Sequence, residues 1–471
     1  MMNRCSLWLV TLALGACASL PRPAPRPAGS LPGTLATRVE VRQRPGGPVS
    51  LQTADVLDPA RVPRLPADRV DEWGGTLELP AERSSGFFRL QKTGARWWLI
   101  DPQGQPFIHV GVVDVRPGTS EAARAAFANR FDSMQTWAQQ SAQWLRDQGF
   151  NGTGAWSDST QLGRSGPKLA QARIVNFMSD FAKSQGSTHV VPGHTAYRSD
   201  AIPVFDPGFE TFANDYARRL SPEADNPAVL GWFSDNELPL GERTLDNFLK
   251  LPAGDPNLAA ARAWLAARQQ RREPDLSAIT QEDRLRWAGH VYDTYAGIVS
   301  RAIRHADPNH LYLGSRFHGA ELRNPHVFEA AGRHLDAISI NYYRTWTPDA
   351  ALMANWAAWS GRPLLITEWY VKGEDSGLPN STGAGWVVPD QAARGAFYQH
   401  FALHLMASRM VVGWHWFRYL DNDPADPKAE PSNLDANKGF FDLAYRPYPA
   451  LTEAARSVNL HKYALIRALD R

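Results

Sequence analysis

Two glutamates that follow apolar runs are the residues of this chain best suited to acid–base chemistry. Glu237 lies in GWFSDNELPL, where the apolar run 229–233 gives way to polar residues and then to Pro239. Glu368 follows the apolar stretch 363–366 in PLLITEWY. Each pattern predicts a buried strand with a carboxylate at its C-terminal end. Two carboxyl groups on opposite sides of a glycosidic bond could hydrolyse that bond.

Apolar stretches alternate with helix-like segments from about residue 88 onward. The predicted strands are, in order, 107–113, FNGTGAW, 173–178, 229–233, LYLGSRFH, LDAISINYY, PLLITEWY and VVGWHWFRY. Helical spacing separates them, most clearly in ITQEDRLRWAGHVYDTYAGIVSRAIRHA. This alternation predicts an α/β fold of the (β/α)8 TIM-barrel class. A doubly wound sheet is the alternative, but GVVDVRPG at the first strand is not a phosphate-binding glycine loop.

The N-terminal segment has the pattern of a bacterial lipoprotein signal. In MMNRCSLWLVTLALGAC, Arg4 precedes an apolar run that is too short to cross a membrane. The residues LGAC at 14–17 resemble a lipobox, which predicts cleavage before Cys17 and acylation of its thiol; an ordinary cleaved signal is the alternative. We therefore expect a lipid anchor in a membrane, with the folded part facing the periplasm or the cell surface. Ala18 is not the Asp of an inner-membrane retention signal, which favours the outer membrane.

The predicted domain scheme has four parts. The signal peptide covers 1–17, a Pro-rich linker covers 18–34, a small β-rich region covers 35–90, and the barrel covers 91–471. Short alternating stretches such as TRVEVRQ and GTLELP predict the strands of the β-rich region. These strands would form either a small N-terminal appendage or a closure at the bottom of the barrel.

The composition of the chain limits the kinds of partner and site that can be expected. A net charge of +2 over 471 residues gives no bulk electrostatic reason to expect a nucleic-acid partner. The two cysteines, Cys5 and Cys17, both lie in the signal segment, so the mature chain has no internal disulfide and no cysteine-based metal site. The 17 tryptophans could stack on sugar rings, although many would serve the core. The sequence makes no prediction about oligomeric state.

The strand ends also resemble a known group of enzymes. Asn236 and Glu237 after the fourth predicted strand, with Glu368 after the seventh, are similar to the clan A retaining glycoside hydrolases, over roughly 94–449. The motifs RWWLIDPQGQPF, GFNGTGAWSD, FDPGF, DNELPL, YLGSRF and GWHWFRYLD resemble the agarase-type members, the family 50 β-agarases. The resemblance implies a cofactor-free, two-carboxylate double displacement on a β-linked galactan polysaccharide or oligosaccharide of the agarose type.

The resemblance also implies residue roles. Glu237 would be the general acid/base and Glu368 the nucleophile, so the two carboxyl groups must differ in protonation. Glu237 follows Asp235 among apolar neighbours, which could raise its pKa toward neutrality. Tyr343 would donate a hydrogen bond that keeps Glu368 ionised. Asn236 would bind the sugar hydroxyl beside the reacting carbon, although a turn-capping asparagine is the alternative.

Other residues near the predicted strand ends are expected to contact substrate. Trp416 is the expected platform for a sugar ring, but Trp414 shares its face, so both indoles could belong to the core. Arg316 and His318 share a face of the fifth strand and could instead form a structural polar layer. The remaining expected contacts are Asn341, Trp156, Asp158, Trp346 and Trp386.

Several alternative functions stay open. No metal is expected, because His189, His194 and Asp200 lack the ligand spacing of a known motif. An esterase would need a Gly-x-Ser-x-Gly turn, which the sequence lacks. Another clan A activity, such as a β-galactosidase or β-glucanase, is the alternative among enzymes. A carbohydrate-binding lipoprotein without catalysis is the alternative outside enzymes, and two opposed carboxyls argue against it.

Overall fold

The centre of the molecule is a parallel sheet that curves into a nearly closed barrel. The computed structural model describes residues 31–471, apart from 59, 61–66, 165, 192 and 193. The predicted signal peptide, Cys17 and most of the predicted linker lie outside these described residues. Within the described part, no helix has the length and apolar character needed to span a membrane.

The elements follow the alternation expected from the sequence. The strands are β1 (Thr34–Val41), β2 (Ser50–Leu57), β3 (Arg89–Thr93), β4 (Arg96–Ile100), β5 (Pro106–Phe107), β6 (His109–Val112), β7 (Gly152–Thr153), β8 (Ala170–Val175), β9 (Thr188–Val191), β10 (His194–Tyr197), β11 (Val229–Ser234), β12 (Leu311–Gly314), β13 (Ile338–Asn341), β14 (Leu364–Glu368), β15 (Val371–Gly373), β16 (Trp386–Val388) and β17 (Val411–Trp416). The helices are α1 (Glu121–Arg130), α2 (Met134–Asp147), α3 (Ser159–Leu162), α4 (Phe177–Ser184), α5 (Phe209–Ala217), α6 (Thr244–Phe248), α7 (Pro256–Arg268), α8 (Gln281–Ala306), α9 (Pro325–His334), α10 (Ala350–Ser360), α11 (Gln391–Ala407), α12 (Pro449–Asn459) and α13 (Lys462–Asp470).

Eight strands form the barrel wall in the order β12-β11-β8-β7-β6-β17-β14-β13, and all neighbours pair in parallel. A bridge between Phe317 and Ile340 joins the two edges of this sheet just beyond β12. Each of the eight predicted strands overlaps one of these barrel strands. The architecture confirms the α/β fold and is consistent with the (β/α)8 class. The third strand, β8, begins at Ala170 rather than at 173, and it ends at Val175 rather than at 178 because α4 already starts at Phe177.

The N-terminal end of the barrel is closed by the antiparallel sheet β3–β4–β5. Its side chains belong to a hydrophobic cluster that also contains residues at the starts of the barrel strands. The cluster includes Trp73, Phe88, Leu99, Phe107, Ala170, Leu230, Leu311, Leu365 and Val412. Burial of these apolar side chains fills the lower barrel interior, so the opposite end is the one available for a site.

The β1–β2 hairpin lies on the outside of the barrel, against α11. Two backbone amides of β2 donate to that helix: Asp55 N to His400 Nδ1 at 2.9 Å, and Leu57 N to Gln399 Oε1 at 2.9 Å. Arg42 also exchanges two backbone hydrogen bonds of 2.8 Å with Val387 of β16. The hairpin and the strands that close the barrel therefore occupy different places on the fold.

Candidate active site

An open cavity of about 610 Å³ lies at the C-terminal ends of the barrel strands. Both predicted glutamates, Glu237 and Glu368, line it. Other predicted site residues on its wall are Asn236, His318, Tyr343 and Trp156. The expectation that polar residues converge at this end is therefore met for these side chains, as it would be in any parallel barrel.

Asp235 fixes the turn that presents Asn236 and Glu237. Its buried carboxylate accepts hydrogen bonds from Met178 N at 2.7 Å and Ser179 N at 2.9 Å, at the start of α4. Tyr295 also donates its hydroxyl to Asp235 at 2.7 Å. Burial raises the pKa of Asp235, and these donors lower it. Asp235 is thus an anchor beneath the site.

The chain at this turn is in a sparsely populated conformation. Asp235 has φ 64° and Glu237 has φ 52°, both in the left-handed region. Such conformations cost non-glycine residues on the order of 1–3 kcal/mol each and persist where the surroundings hold them. The Glu237 backbone N–H is held by Ser315 O at 2.9 Å, which ties this turn to the end of β12.

Arg316 joins the two sides of the site. Its guanidinium is fully buried, and its backbone φ of 55° is again left-handed. Nη1 donates to Asn236 Oδ1 at 2.9 Å, and Nη2 donates to Glu368 Oε1 at 2.5 Å and to Thr367 O at 3.2 Å. One planar cation therefore holds the turn after β11 and the carboxylate that ends β14 at the same time.

Asn341 and Tyr343 complete the network around the carboxylates. Asn341 Nδ2 donates to Glu237 Oε1 at 2.6 Å and to Asn236 Oδ1 at 3.2 Å. Thr367 donates to Asn341 Oδ1 at 2.9 Å, which orients the amide. Tyr343 donates its hydroxyl to Glu368 Oε2 at 2.5 Å, as the sequence predicts. Glu237 and Glu368 are therefore linked through side chains from four barrel strands.

The two carboxylates have different surroundings. Burial raises the pKa of Glu368, the Arg316 guanidinium lowers it, and the nearby Glu237 raises it further, with a net rise above the ordinary value. The Tyr343 hydroxyl and the Lys438 ammonium also lower the pKa of Glu368. Glu237 lies with Oε1 4.0 Å from His318 Nδ1 and is partly exposed to the cavity. Full ionisation of Glu368 therefore requires a higher pH than that of an exposed glutamate, despite its donors.

The structure places Trp414 and Trp416 away from the cavity. Both are fully buried, and Trp416 donates Nε1 to Lys438 O at 2.8 Å. The Trp416 ring packs 5.1 Å from that of Trp369, on the helix side of the barrel wall. This placement favours the core interpretation of both indoles. Phe417, the next residue, lines the cavity instead.

Three other predicted contacts also lie outside the cavity. Trp346 donates Nε1 to Thr53 O at 2.8 Å and so packs against the β1–β2 hairpin. Trp386 packs edge-on against Trp346, with 6.4 Å between ring centroids. Asp158 caps α3 by accepting from Gln161 N at 3.1 Å. Their side chains serve the barrel exterior and a helix start, which strand-end position alone could not reveal.

A charged cluster on the cavity wall was not among the predicted site residues. Asp114 pairs with Arg418 at 2.7 Å and with Arg116 at 2.5 Å. Behind it, the Lys438 ammonium is buried 4.5 Å from the Phe417 ring centroid. Asp114 and Arg418 lie at the ends of the first and eighth predicted strands, so their positions in the sequence could have marked them as site residues. Lys438 follows a long loop without periodicity, so the sequence gave no indication that it lies near the site.

Among the described residues, one group has the make-up of a metal site. Asp55, His400 and His404 present ligand atoms within 4.8 Å of one another, outside the cavity. Both ring nitrogens of His400 already have partners, Asp55 N at 2.9 Å and Thr347 Oγ1 at 2.7 Å. Asp55 Oδ2 lies 2.8 Å from His404 Nε2. This bonding fits a clasp between the hairpin and α11 rather than a metal centre.

Known proteins share this architecture. No family model matches the chain. The crystal structure of BpGH50 superposes with a TM-score of 0.81 at 30% sequence identity, covering 95% of this chain and 100% of that one. The chain belongs to the same family as BpGH50. A solved exo-β-agarase shares the fold of this family, with a TM-score of 0.71 at 20% identity over 86% of this chain and 70% of that one.

The chain is also similar in sequence to two curated β-agarases. β-Agarase B from Vibrio sp. (strain JT0107) is 23% identical over 494 residues, covering 83% of this chain and 50% of the relative. The chain thus spans about half the length of this curated relative. The homologues of the chain are β-agarases, as the sequence motifs suggested.

Proposed function

We propose that the chain is a retaining glycoside hydrolase of clan A and family 50 that cleaves a β-linked galactan of the agarose type. The observation that carries the proposal is the linked carboxylate pair: Glu237 and Glu368 share one cavity and are joined through Asn341, Asn236 and Arg316. A site for binding alone has no need of two carboxyl groups joined through one hydrogen-bond network. The β-agarase homologues support the substrate class.

In this mechanism Glu368 is the nucleophile. Its carboxylate attacks the anomeric carbon and forms a glycosyl ester, while Glu237 gives its proton to the leaving glycosidic oxygen. Glu237 then removes a proton from water, which attacks the same carbon and frees Glu368. Arg316 and Tyr343 donate to the two Glu368 oxygens and hold them in place for attack. In this mechanism Asn236 binds the hydroxyl beside the reacting carbon.

The alternative within enzymes is another clan A specificity, and a product assay separates the two. The chain is incubated with agarose, porphyran and mixed-linkage β-glucan, and the products are identified by mass spectrometry. Release of oligosaccharides from agarose supports the proposal. Products from β-glucan alone would replace agarose as the substrate, and binding without products would favour a carbohydrate-binding role.

Retention is tested separately from substrate. The anomeric configuration of the first-formed product is followed by proton NMR before mutarotation. A β-configured product supports double displacement, and an α-configured product would require a single displacement. A crystal structure with bound oligosaccharide gives a second check, because retaining enzymes hold the two carboxyl groups about 5–5.5 Å apart.

The sequence pattern of residues 1–17 supports a lipid anchor at Cys17 and an outer-membrane location. Expression of the full chain with radiolabelled palmitate tests this directly. We expect label in the wild-type protein and none in Cys17→Ser, with the wild type in the outer-membrane fraction. Equal recovery of both proteins in the soluble fraction would contradict the anchor.

A further inference from the structure

The guanidinium of Arg316 lies between two aromatic rings. Its Cζ is 4.5 Å from the ring centroid of Trp156 and 5.4 Å from that of Phe233. Its Nε–H has no hydrogen-bond partner among the described residues. The orientation of this side chain is therefore fixed by the ring faces and by the acceptors of its two terminal nitrogens.

The backbone of Trp156, which places its ring beside Arg316, has an unusual conformation. It follows β7 with φ 59°, in the left-handed region, and its side chain is partly exposed. The same indole lines the cavity and packs edge-on against Phe417 at 6.3 Å. Trp156 thus contacts the buried cation beneath the site while part of its surface faces the cavity.

We propose that Trp156 is a positioning residue, whose indole holds the Arg316 guanidinium in the orientation that reaches both Glu368 and Asn236. This inference rests on the proposed function, because it assigns Glu368 as the nucleophile. Trp156 acts on the reaction through Arg316, whatever contact it also makes with sugar. The Arg316 fork spans two acceptors on different strands, so a small tilt breaks at least one of its bonds.

The ionisation of Glu368 reports on this orientation. Burial raises the pKa of Glu368, and Arg316 lowers this pKa more than any other neighbour does. A guanidinium that tilts away leaves the carboxyl group with a higher pKa. The other titratable groups that face Glu368 are Glu237, Tyr343, Tyr370 and Lys438.

The test compares three variants by the pH dependence of kcat/KM on a soluble galactan oligosaccharide. Trp156→Leu removes the ring, Trp156→Phe keeps a smaller ring, and Trp359→Leu makes the same change on the barrel exterior, where Trp359 packs on Phe328 at 5.8 Å. We expect the acid limb to move up by about one pH unit in Trp156→Leu, because a one-unit rise follows the weakening of one ion pair. The limb should stay near its wild-type position in Trp156→Phe and Trp359→Leu.

A sugar platform without a positioning role gives a different result. Trp156→Leu would then raise KM and leave the acid limb where it is, which would overturn the inference. A crystal structure of Trp156→Leu supplies a readout that needs no activity. We expect loss of the 2.5 Å contact between Arg316 Nη2 and Glu368 Oε1, and an unmoved guanidinium would also overturn the inference. If the wild type cleaves no galactan, the proposed function fails while this structural test still stands.

Discussion

Both ends of the barrel carry a pair of acidic side chains. The pair at the closed end accepts hydrogen bonds from nearby backbone amides, whereas the pair at the open end accepts them from side chains. At the closed end, Asp71 Oδ1 accepts from the backbone of Trp73 at 3.0 Å and of Gly74 and Gly75 at 2.9 Å. Asp101 Oδ1 there accepts from the backbone of two residues of its own turn. Burial and the neighbouring Asp71 raise the pKa of Asp101 to about 7. At the open end, Glu237 and Glu368 bond to side chains from other barrel strands.

The difference shows what makes a carboxyl pair suited to chemistry. The Asp71–Asp101 pair closes local turns, and Asp101 is fully buried with no cation bonded to it among the described residues. The Glu237–Glu368 pair faces a cavity, and the buried guanidinium of Arg316 offsets the cost of burying the Glu368 carboxylate. Left-handed backbone conformations are also concentrated at the open end, at Asp114, Trp156, Asp235, Glu237, Arg316 and Arg344. Strain, charge and an open cavity occur together at this end.

The largest effect should come from removing one carboxylate of the open pair. Glu237→Gln and Glu368→Gln are each expected to lower kcat by about 10³-fold or more, because protonation of the leaving oxygen needs the Glu237 carboxylic acid and covalent attack needs the Glu368 carboxylate. Steady-state rates on an agarose oligosaccharide measure this. Asp101→Asn is the matched change at the closed end and should leave kcat unaltered. A Glu368→Gln enzyme with a near-normal rate would remove Glu368 from the mechanism.

Replacing one phenylalanine at each end of the barrel should separate the effect on folding stability from the effect on substrate binding. Phe107 is fully buried in the closed end, so Phe107→Ala is expected to lower the free energy of unfolding by about 3–5 kcal/mol with KM unchanged. Phe417 is partly exposed at the cavity, so Phe417→Ala should destabilise less and raise KM. Urea denaturation and steady-state kinetics measure the two effects. Equal destabilisation with an unchanged KM in both variants would mean that Phe417 serves the core alone.

Arginines at the two ends should respond differently to replacement by lysine. Arg316→Lys loses the planar fork that reaches Asn236 and Glu368 together, so kcat/KM should fall about 10- to 100-fold and the acid limb should move to higher pH. Arg146→Lys is the control at the closed end, where Arg146 Nη1 donates to Trp73 O at 3.1 Å. It should leave the pH profile in place. An unshifted acid limb in Arg316→Lys would show that Tyr343 and Lys438 suffice to keep Glu368 ionised.

The smallest effect concerns stability at the closed end. The folded-state pKa of Asp101, about 7, is above its unfolded value, so its contribution to stability is present at low pH and is lost as pH rises toward 7. Asn cannot ionise, so Asp101→Asn should be about 1–2 kcal/mol more stable than wild type at pH 8, and this gain should shrink toward pH 4. Urea denaturation at several pH values measures the difference. A constant difference would show that Asp101 does not titrate in this range.

Much of the fold could be predicted because it depends on local patterns. Apolar runs such as 229–233 read as buried strands, and each was followed by a helical segment, which left few arrangements other than a barrel. The site was predictable where its residues immediately follow strands, as Glu237 and Glu368 do. The prediction was weaker for Trp416, because alternation along a strand tells which residues share a face but not whether that face is the interior.

The sequence by itself determined the succession of strands and helices along the chain and residues that follow strands, such as Glu237 and Glu368, since both follow from the periodicity of neighbouring side chains. Only the tertiary structure decided which of those residues bond to one another. Arg316 is 80 positions from Asn236 and 52 from Glu368, yet its guanidinium bonds to both. Closure of the barrel brings these residues together, and that closure depends on long-range strand pairing and packing that no local pattern encodes.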